Sequence, residues 1–289
     1  MVLNPATQIS LCTVRIEAHF NGGANLGTGY LYNLEIPDDD PKYAHIVPVM
    51  VTNKHVVDGA DHLQVSLDVI TKGAQIKEDG SVPGEVRKTF RITDFASSVI
   101  RHPDSGVDLC VVLLGHVLNA IDENQTIKNV FLDKRWRLDE EMKKNLRPIE
   151  PVAMIGYPNG IWDSVNNKPI ARRGQTASHA LVRWNNNRYF VIDTAVFGGS
   201  SGSPVFLYED GLYRNGPNGY TPGMNVKLLG TLWGGPVLTA EGKLVPKAIP
   251  TAMNQLEQTV PQMILMMNLG FVVHVDALDD FIPIVKSRL

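Results

Sequence analysis

The chain alternates short apolar runs with polar segments rich in glycine and proline, and this pattern predicts a fold built from β-strands. Six runs fall in the first half of the chain and six in the second half, which is what a pair of small antiparallel barrels requires. The runs of the first half span residues 12–20, 28–36, 46–52, 63–70, 89–95 and 109–114, and those of the second half span residues 151–157, 168–178, 189–196, 203–208, 226–233 and 270–275.

Two segments have helical rather than strand periodicity. Residues 132–146 are charged and carry three apolar side chains at i+4 spacing, which indicates an amphipathic helix. We interpret it as a connector packed on the barrels, with a docking surface for a partner as the alternative. The stretch from Asp276 has apolar residues at helical spacing, with Asp276 as the N-cap, and Pro283 is expected to break or kink it.

The predicted fold class is therefore all-β, with two six-stranded antiparallel barrels, a charged connecting helix and a C-terminal helix. Two other segments, 209–225 and 235–268, contain turn residues and are predicted to be long loops. The predicted domains are an N-terminal barrel at 1–120, a helical connector at 121–149, a C-terminal barrel at 150–275 and a C-terminal helix at 276–289.

Composition excludes several classes of protein. The net charge of −3 gives no electrostatic sign of nucleic-acid binding, and no apolar stretch is long enough to span a membrane. The first ten residues have neither the basic region nor the apolar run of a secretory signal. Two cysteines, Cys12 and Cys110, lie in apolar runs and are expected to pack as small hydrophobic residues rather than form a disulfide framework. We therefore expect a cytoplasmic protein. No cluster of metal ligands occurs, and no cofactor is predicted.

The segment 199–204, with the sequence GSSGSP, carries the strongest chemical signal. A turn of small residues between two strands can expose a serine hydroxyl and direct backbone N–H groups beside it, as acyl transfer requires. On composition alone a flexible connector is the simpler interpretation. A nucleophile elbow centred on Ser200 is a further alternative, but that motif requires a helix directly after the serine, whereas Pro204 and a predicted strand follow here.

Two upstream segments favour the catalytic interpretation. Residues 51–57, with the sequence VTNKHVV, place His55 at the end of an apolar run. Residues 107–109, with the sequence VDL, place Asp108 at the start of another. With Ser201 the order along the chain is His, Asp, Ser, which distinguishes this arrangement from those of subtilisin-type enzymes and α/β-hydrolases.

These three motifs resemble those of the trypsin-like, chymotrypsin-fold serine peptidases, and in particular the disulfide-poor bacterial branch with the HtrA/Deg proteases. Residues 52–57 are similar to the TNxHVV segment of that branch, residues 107–109 to its DLAL strand, and residues 199–204 to its GNSGGP. The resemblance runs from about residue 13 to the end of the chain and includes no PDZ module.

The resemblance implies a role for each matched residue. Ser201 would be the nucleophile, His55 the general base and then the general acid, and Asp108 the residue that orients the imidazole. The backbone N–H groups of Gly199 and Ser201 would form the oxyanion hole. Ser200 stands where secreted members have an aspartate that captures the new N-terminus after activation, so that activation device is predicted to be absent.

The resemblance also places the substrate. Ala195 occupies the position that sets primary specificity and is followed by Val196, so an apolar pocket is expected. The segment Leu232, Trp233 and Gly234 would pair with an extended substrate strand. The leading hypothesis is an intracellular serine endopeptidase acting on protein or peptide substrates. The alternatives are a latent protease-fold binding or scaffold protein, a protease that an activating protein partner switches on, and an esterase acting on small acyl esters.

Overall fold

A computed structural model describes residues 3–40, 42–216, 219–241 and 262–288. Its strands form two large antiparallel units, one from each half of the chain, so the predicted all-β pair of sheets is confirmed. The first unit contains eight strands, and the second is a closed barrel of six. Prediction and structure differ in strand number in the first half, where two three-residue strands were too short to leave a recognisable pattern.

The first unit has the strand order β5-β4-β1-β2-β3-β7-β6, with β8 added along β4. Alternation along β1 shows why it forms a half-buried strand, because Val14 and Ile16 face the core while Arg15 and Glu17 face outward. The strands of this unit are β1 Thr13–Phe20, β2 Gly23–Pro37, β3 Ala44–Thr52, β4 His62–Thr71, β5 Val86–Ile92, β6 Val99–Arg101, β7 Cys110–Leu113 and β8 Gln125–Ile127.

The second unit closes through the strand order β10-β11-β16-β13-β12-β9. Residues 209–225, predicted to be a loop, instead extend the β12–β13 hairpin, because their cross-strand pairing continues from Glu209↔Asn225 to Arg214↔Tyr220. The strands are β9 Pro151–Gly156, β10 Ile170–Thr176, β11 Tyr189–Asp193, β12 Pro204–Arg214, β13 Tyr220–Gly234 and β16 Leu269–His274, and a separate pair consists of β14 Val237–Glu241 and β15 Gln262–Met266.

The segment 235–268, also predicted to be a loop, therefore begins and ends in a two-stranded ladder. The side chains of Met266 and Met267 are exposed rather than packed in a core. The middle of this segment, which includes Met253, lies outside the described residues.

Helices are short and connect or cap the sheets. The connector at 132–146 contains a 3₁₀ turn, Lys134–Trp136, and one α-helix that starts only at Glu140, because the Asp139 side chain accepts a hydrogen bond from the Met142 N–H and caps it there. The α-helices are α1 Pro5–Ser10, α2 Lys54–Val57, α3 Phe95–Ser98, α4 Gly115–Asn119, α5 Glu140–Asn145 and α6 Ile282–Lys286.

The C-terminal segment is helical throughout its described part. A 3₁₀ helix, Val275–Phe281, leads directly into α6, and Pro283 sits in the first turn of α6, where its missing N–H costs no hydrogen bond. The helix type changes from 3₁₀ to α at Ile282, beside Pro283, so the chain stays helical there rather than breaking, and the kink stays a prediction.

The described residues form three apolar clusters, and one of them joins the two units. One fills the first sheet and includes Ile16, Leu31 and Met50, and another fills the second barrel around Phe190 and Val205. The third lies between them, and it joins β2 and β3 of the first unit to β9, β12 and β13 of the second and to the C-terminal helices. The site predicted from the sequence therefore lies on two sheets that share a packed apolar boundary.

Candidate active site

The helical turn α2 presents His55 at the end of β3. Val56 and Val57 are buried in the core of the first unit. The side of this single turn that carries His55 is therefore exposed. A Cβ at Gly27 would lie 2.4 Å from Val56, so that glycine allows the turn to pack closely on β2. The apolar pair after the histidine therefore fixes the direction in which the imidazole points.

The structure brings His55 and Asp108 into direct contact. The Nδ1 atom of His55 is hydrogen-bonded to Oδ2 of Asp108, and the backbone N–H of His55 donates to Oδ1 at 3.2 Å. Partial burial acts to raise the pKa of the Asp108 carboxyl, but the hydrogen bond and charge of His55 outweigh it, so the pKa lies below its ordinary value. Asp108 is therefore held as a carboxylate against the ring.

Asn53 supports this pair and was not anticipated from the sequence. It is fully buried, and its Nδ2 donates to the carbonyl oxygen of Asp108 at 2.7 Å. The thiol of Cys110 lies 3.4 Å from the carbonyl oxygen of Asn53. Burial raises the pKa of Cys110, so this sulfur stays a protonated packing group.

A buried histidine anchors the loop that leads to Asp108. The backbone N–H of His102 donates to the carbonyl of Leu109 at 2.9 Å, and the Asp104 N–H donates to Nδ1 of His102 at 3.1 Å. The hydrogen of the neutral ring is then on Nε2, which lies 3.1 Å from Oδ2 of Asp280. Burial lowers the pKa of His102, which favours this neutral form. The C-terminal helical segment thus lies against the Asp108 loop.

The turn that bears Ser201 is held by its carbonyl groups. Every carbonyl from Phe197 to Ser201 accepts a hydrogen bond, whereas the N–H groups of Gly199 and Ser201 donate none within the described part of the chain. Two N–H groups of the same turn, on either side of Ser200, are thereby left for a ligand. The bonds are Ser200 N–H to the Phe197 carbonyl at 3.0 Å, Asn159 N–H to Gly198 at 2.6 Å, Thr28 hydroxyl to Gly199 at 2.9 Å, Ser203 N–H to Ser200 at 3.0 Å and Thr28 N–H to Ser201 at 2.9 Å.

Two glycines make this turn possible. Gly199 has φ of +80°, and a Cβ there would lie 2.6 Å from the carbonyl oxygen of Tyr157. Gly202 has φ of +88°, and a Cβ there would lie 1.8 Å from the carbonyl oxygen of Thr28. Both positions combine a left-handed backbone with close backbone approach, which only glycine accommodates. The turn is therefore sterically matched to both Tyr157 and Thr28.

The two serines of the turn point in different directions. Ser200 is buried, and its hydroxyl finds no partner among the residues with described positions. Ser201 is partly exposed, and its Oγ lies 3.5 Å from the carbonyl oxygen of Trp233. That carbonyl sits at a bulge, because Leu232 pairs with Val272 and Gly234 with Phe271, which leaves Trp233 without an opposite residue.

His55 and Ser201 are linked only indirectly in this conformation. No hydrogen bond joins the imidazole to the Ser201 hydroxyl in the ranges that the structure describes. Instead, Thr28 donates its N–H to the Ser201 carbonyl, and its own carbonyl accepts from the Thr52 hydroxyl at 2.7 Å, next to the segment that carries His55. The structure thus brings the predicted general base and its aspartate into contact, with the predicted nucleophile on an adjoining turn.

The predicted specificity residues lie beside this turn. Val196 and Leu232 are buried in the core of the second barrel, while Gly234 is partly exposed and has open space where a Cβ would be. The carbonyl of Ala195 accepts a hydrogen bond of 2.9 Å from the guanidinium of Arg172. The assignment of these residues to substrate binding stays a prediction.

Trp233 belongs to a partly exposed aromatic group. Its ring stacks on Phe271 with centroids 5.5 Å apart, and Tyr189 meets it edge-on at 5.6 Å. The sequence motif suggested Trp233 but not its two aromatic neighbours, which come from β11 and β16 and meet it only in the folded barrel.

Comparison with protein families gives a match over more than half of the chain. The family described as "Trypsin-like peptidase domain" matches residues 27–212, which include Thr28, His55, Asp108 and Ser201. The chain belongs to that family. Comparison with curated proteins gives no match.

Solved structures similar to this trypsin-like domain include three proteases. The Rv3671c protease from M. tuberculosis in its active form has 16% identity and a TM-score of 0.47, with 96% of this chain and 82% of that chain covered. An HtrA-type protease with a tripeptide has 12% identity and a TM-score of 0.48, covering 96% of this chain and 62% of that one. The serine endoprotease from Yersinia pestis has 13% identity and a TM-score of 0.47, with 99% of this chain and 68% of that chain covered.

No helix in the described ranges is both long and apolar enough to cross a membrane.

Proposed function

We propose that this trypsin-like domain is a serine endopeptidase that hydrolyses peptide bonds through an acyl-enzyme. Ser201 is the nucleophile, His55 the general base and then the general acid, and Asp108 the carboxylate that orients and stabilises the imidazole. The observation that carries the proposal is the pair of unused N–H groups, at Gly199 and Ser201, on a turn whose carbonyls are all bonded elsewhere. Such preorganised donors stabilise the oxyanion of acyl transfer.

The reaction begins with a rotation of the Ser201 hydroxyl from the Trp233 carbonyl toward Nε2 of His55. Asp108 holds the hydrogen of His55 on Nδ1, so Nε2 is free to take the proton as Oγ attacks the scissile carbonyl. The oxyanion accepts hydrogen bonds from Gly199 and Ser201. His55 then donates its proton to the leaving amine, and water repeats the sequence to release the acyl group.

Substrate recognition follows the exposed end of β13. An extended peptide would add its backbone beside Gly234, and its P1 side chain would enter a pocket at Ala195 and Val196, with a preference for apolar residues. Substrates are proteins or peptides. The cytoplasmic setting rests on the two cysteines, which are both free and buried and so require no oxidising compartment.

One observation favours a second candidate, a protease-fold protein that is latent until a partner activates it. The Ser201 hydroxyl lies against the Trp233 carbonyl rather than against His55. If that hydroxyl stays there, the general base has no proton to accept, and the domain can bind a peptide without cleaving it.

A fluorophosphonate probe, which reacts only with an activated serine, tests the proposal. We expect labelling of the wild type and of Ser200→Ala, and loss of labelling in Ser201→Ala. Ser200→Ala is the matched control because its hydroxyl is buried in the same turn. Cleavage of casein and of a peptide library, compared with hydrolysis of small acyl esters, separates a peptidase from an esterase. Absence of labelling in the folded wild type would contradict the endopeptidase proposal.

A further inference from the structure

Thr28 uses all of its polar groups to join the two halves of the site. It lies in β2 and is fully buried. Its N–H donates to the Ser201 carbonyl at 2.9 Å, and its own carbonyl accepts from the Thr52 hydroxyl at 2.7 Å. Its hydroxyl donates to the Gly199 carbonyl at 2.9 Å and accepts from the Tyr157 N–H at 3.0 Å. The Thr28 hydroxyl therefore donates one hydrogen bond and accepts another.

These contacts fix the peptide planes around the predicted nucleophile. The N–H of Ser201 belongs to the peptide that joins residues 200 and 201. The peptides on either side of it carry the carbonyls of Gly199 and Ser201, and Thr28 holds both carbonyls. Because neighbouring peptide planes are rigid and share a Cα, holding the flanking planes sets the direction of the N–H between them.

The Tyr157 contact extends this control to the other N–H group. Tyr157 begins the short turn in which the Asn159 N–H donates to the Gly198 carbonyl at 2.6 Å. That carbonyl shares its peptide plane with the Gly199 N–H, so the turn sets the direction of that N–H as well. The Thr28 hydroxyl binds the Gly199 carbonyl and the Tyr157 N–H together, and so couples the two turns.

Packing leaves little freedom for this residue to move. Gly29, on one side, would place a Cβ 2.8 Å from Met50, and Gly27, on the other side, would place one 2.4 Å from Val56. Glycines on both sides let β2 approach its neighbours closely, and Gly202 lets the serine turn approach the Thr28 carbonyl. The hydroxyl is therefore confined to the point where it meets the serine turn.

We propose that Thr28 is a positioning residue that orients both oxyanion-binding N–H groups across the boundary between the two β-units. This inference rests on the proposed peptidase function. Substitution of Thr28 should lower the rate of acyl transfer more than it weakens the affinity for substrate, because the N–H groups act most strongly on the transition state.

The test compares Thr28→Val, which keeps the branched shape and removes the hydroxyl, with Thr28→Ser, which keeps the hydroxyl. We expect kcat on a peptide substrate and the rate of fluorophosphonate labelling to fall about 10- to 100-fold in Thr28→Val, with KM within about 3-fold of wild type. Thr28→Ser should retain kcat within about 3-fold. Thr28→Ala, with the same expectation, replaces Thr28→Val if near-UV circular dichroism shows that the latter does not fold.

Tyr30→Phe is the matched control for stability. The Tyr30 hydroxyl makes a buried 2.9 Å hydrogen bond with Thr231 across the same boundary, two residues along β2, without touching the serine turn. We expect Tyr30→Phe to lower Tm as Thr28→Val does, with kcat within about 3-fold of wild type.

Three outcomes would count against the inference. Labelled wild type together with unchanged kcat in Thr28→Val would overturn this inference alone, as would an equal loss of kcat in Tyr30→Phe. A folded wild type that neither labels nor cleaves would overturn the proposed function, and this inference with it.

Discussion

The two halves of the site are built by different means. In the first β-unit the geometry depends on side chains, since the His55 ring meets the Asp108 carboxylate and the Asn53 amide donates to the backbone carbonyl of that aspartate. In the second barrel it depends on the backbone, since carbonyl groups between Phe197 and Ser201 are bonded one by one and two N–H groups remain.

This difference determines which changes each half should tolerate. The His55–Asp108 half relies on charge and on a defined tautomer, so isosteric changes that remove a charge should be severe. The Ser201 half relies on peptide direction, so changes that add a Cβ should be severe even when no functional group is lost.

Asp108→Asn should have the largest effect. The amide keeps the shape of the carboxylate but cannot hold the hydrogen on Nδ1 of His55 in the productive tautomer or stabilise the imidazolium. We expect kcat/KM for a peptide substrate to fall about 10⁴-fold, with the structure intact. Asp104→Asn, on the same loop, is the control and should stay near wild type. A loss below tenfold in Asp108→Asn would contradict the role of this carboxylate.

Gly199→Ala should follow. Its Cβ would meet the Tyr157 carbonyl at 2.6 Å in a left-handed conformation, so the peptide must turn and withdraw one N–H. We expect a 10²- to 10³-fold loss of kcat, about that of removing one oxyanion donor. Gly198→Ala is the matched control, because its Cβ would lie 3.6 Å from its nearest neighbour, the side chain of Asn159. Equal activity in the two variants would show that the backbone direction at 199 is not limiting.

Substitution at Ala195 should have a smaller effect, on specificity. An aspartate there should shift P1 preference from apolar toward basic residues if the pocket is placed correctly. The Arg172 guanidinium bonds to the Ala195 carbonyl and would partly neutralise the new charge. We therefore expect about a tenfold larger shift in the Ala195→Asp, Arg172→Gln double variant than in Ala195→Asp alone, measured on a peptide library. A wild-type profile already dominated by arginine or lysine would refute the apolar pocket.

The smallest expected effect is on the pH dependence of stability. Burial lowers the pKa of His102 and of His274, so the native state resists protonation at both sites. As pH falls below about 6.5, the unfolded chain binds protons that the native chain does not, and stability decreases toward the lowered native pKa values. Denaturant titrations should show this decrease, and His102→Gln should reduce its slope. An unchanged slope in that variant would show that His102 does not contribute to the decrease.

The sequence was most informative where chemistry limits the choice of residue. The motifs that contain His55, Asp108 and Ser201 predicted that each of these residues lies near the end of a strand. Both β-units were predicted from the apolar runs. The strands at 99–101 and 125–127 were not foreseen, because three residues carry too little periodicity and the strands exist only through pairing with β7 and β4.

Residues that act through backbone groups or distant contacts left no such signal. Thr28, Asn53 and Asn159 have ordinary side chains in the sequence, and their contributions arise only when remote segments meet. The outer part of the β12–β13 hairpin was not predicted for a related reason, since glycine, asparagine and proline favour turns locally. Cross-strand pairing of residues 209–214 with residues 220–225 outweighs that preference. Glycines on both sides of Thr28 were the one available hint of close approach.

The sequestered sulfur of Cys110 has a practical consequence. The only other cysteine, Cys12, is also buried, and burial raises its pKa as well. Neither atom offers a thiolate to maleimides or alkylating reagents while the fold persists. Two cysteines engineered at the surface, one on each β-unit, could therefore carry fluorophores or spin labels without prior removal of native thiols, and the distance between the two β-units could be followed by spectroscopy during turnover.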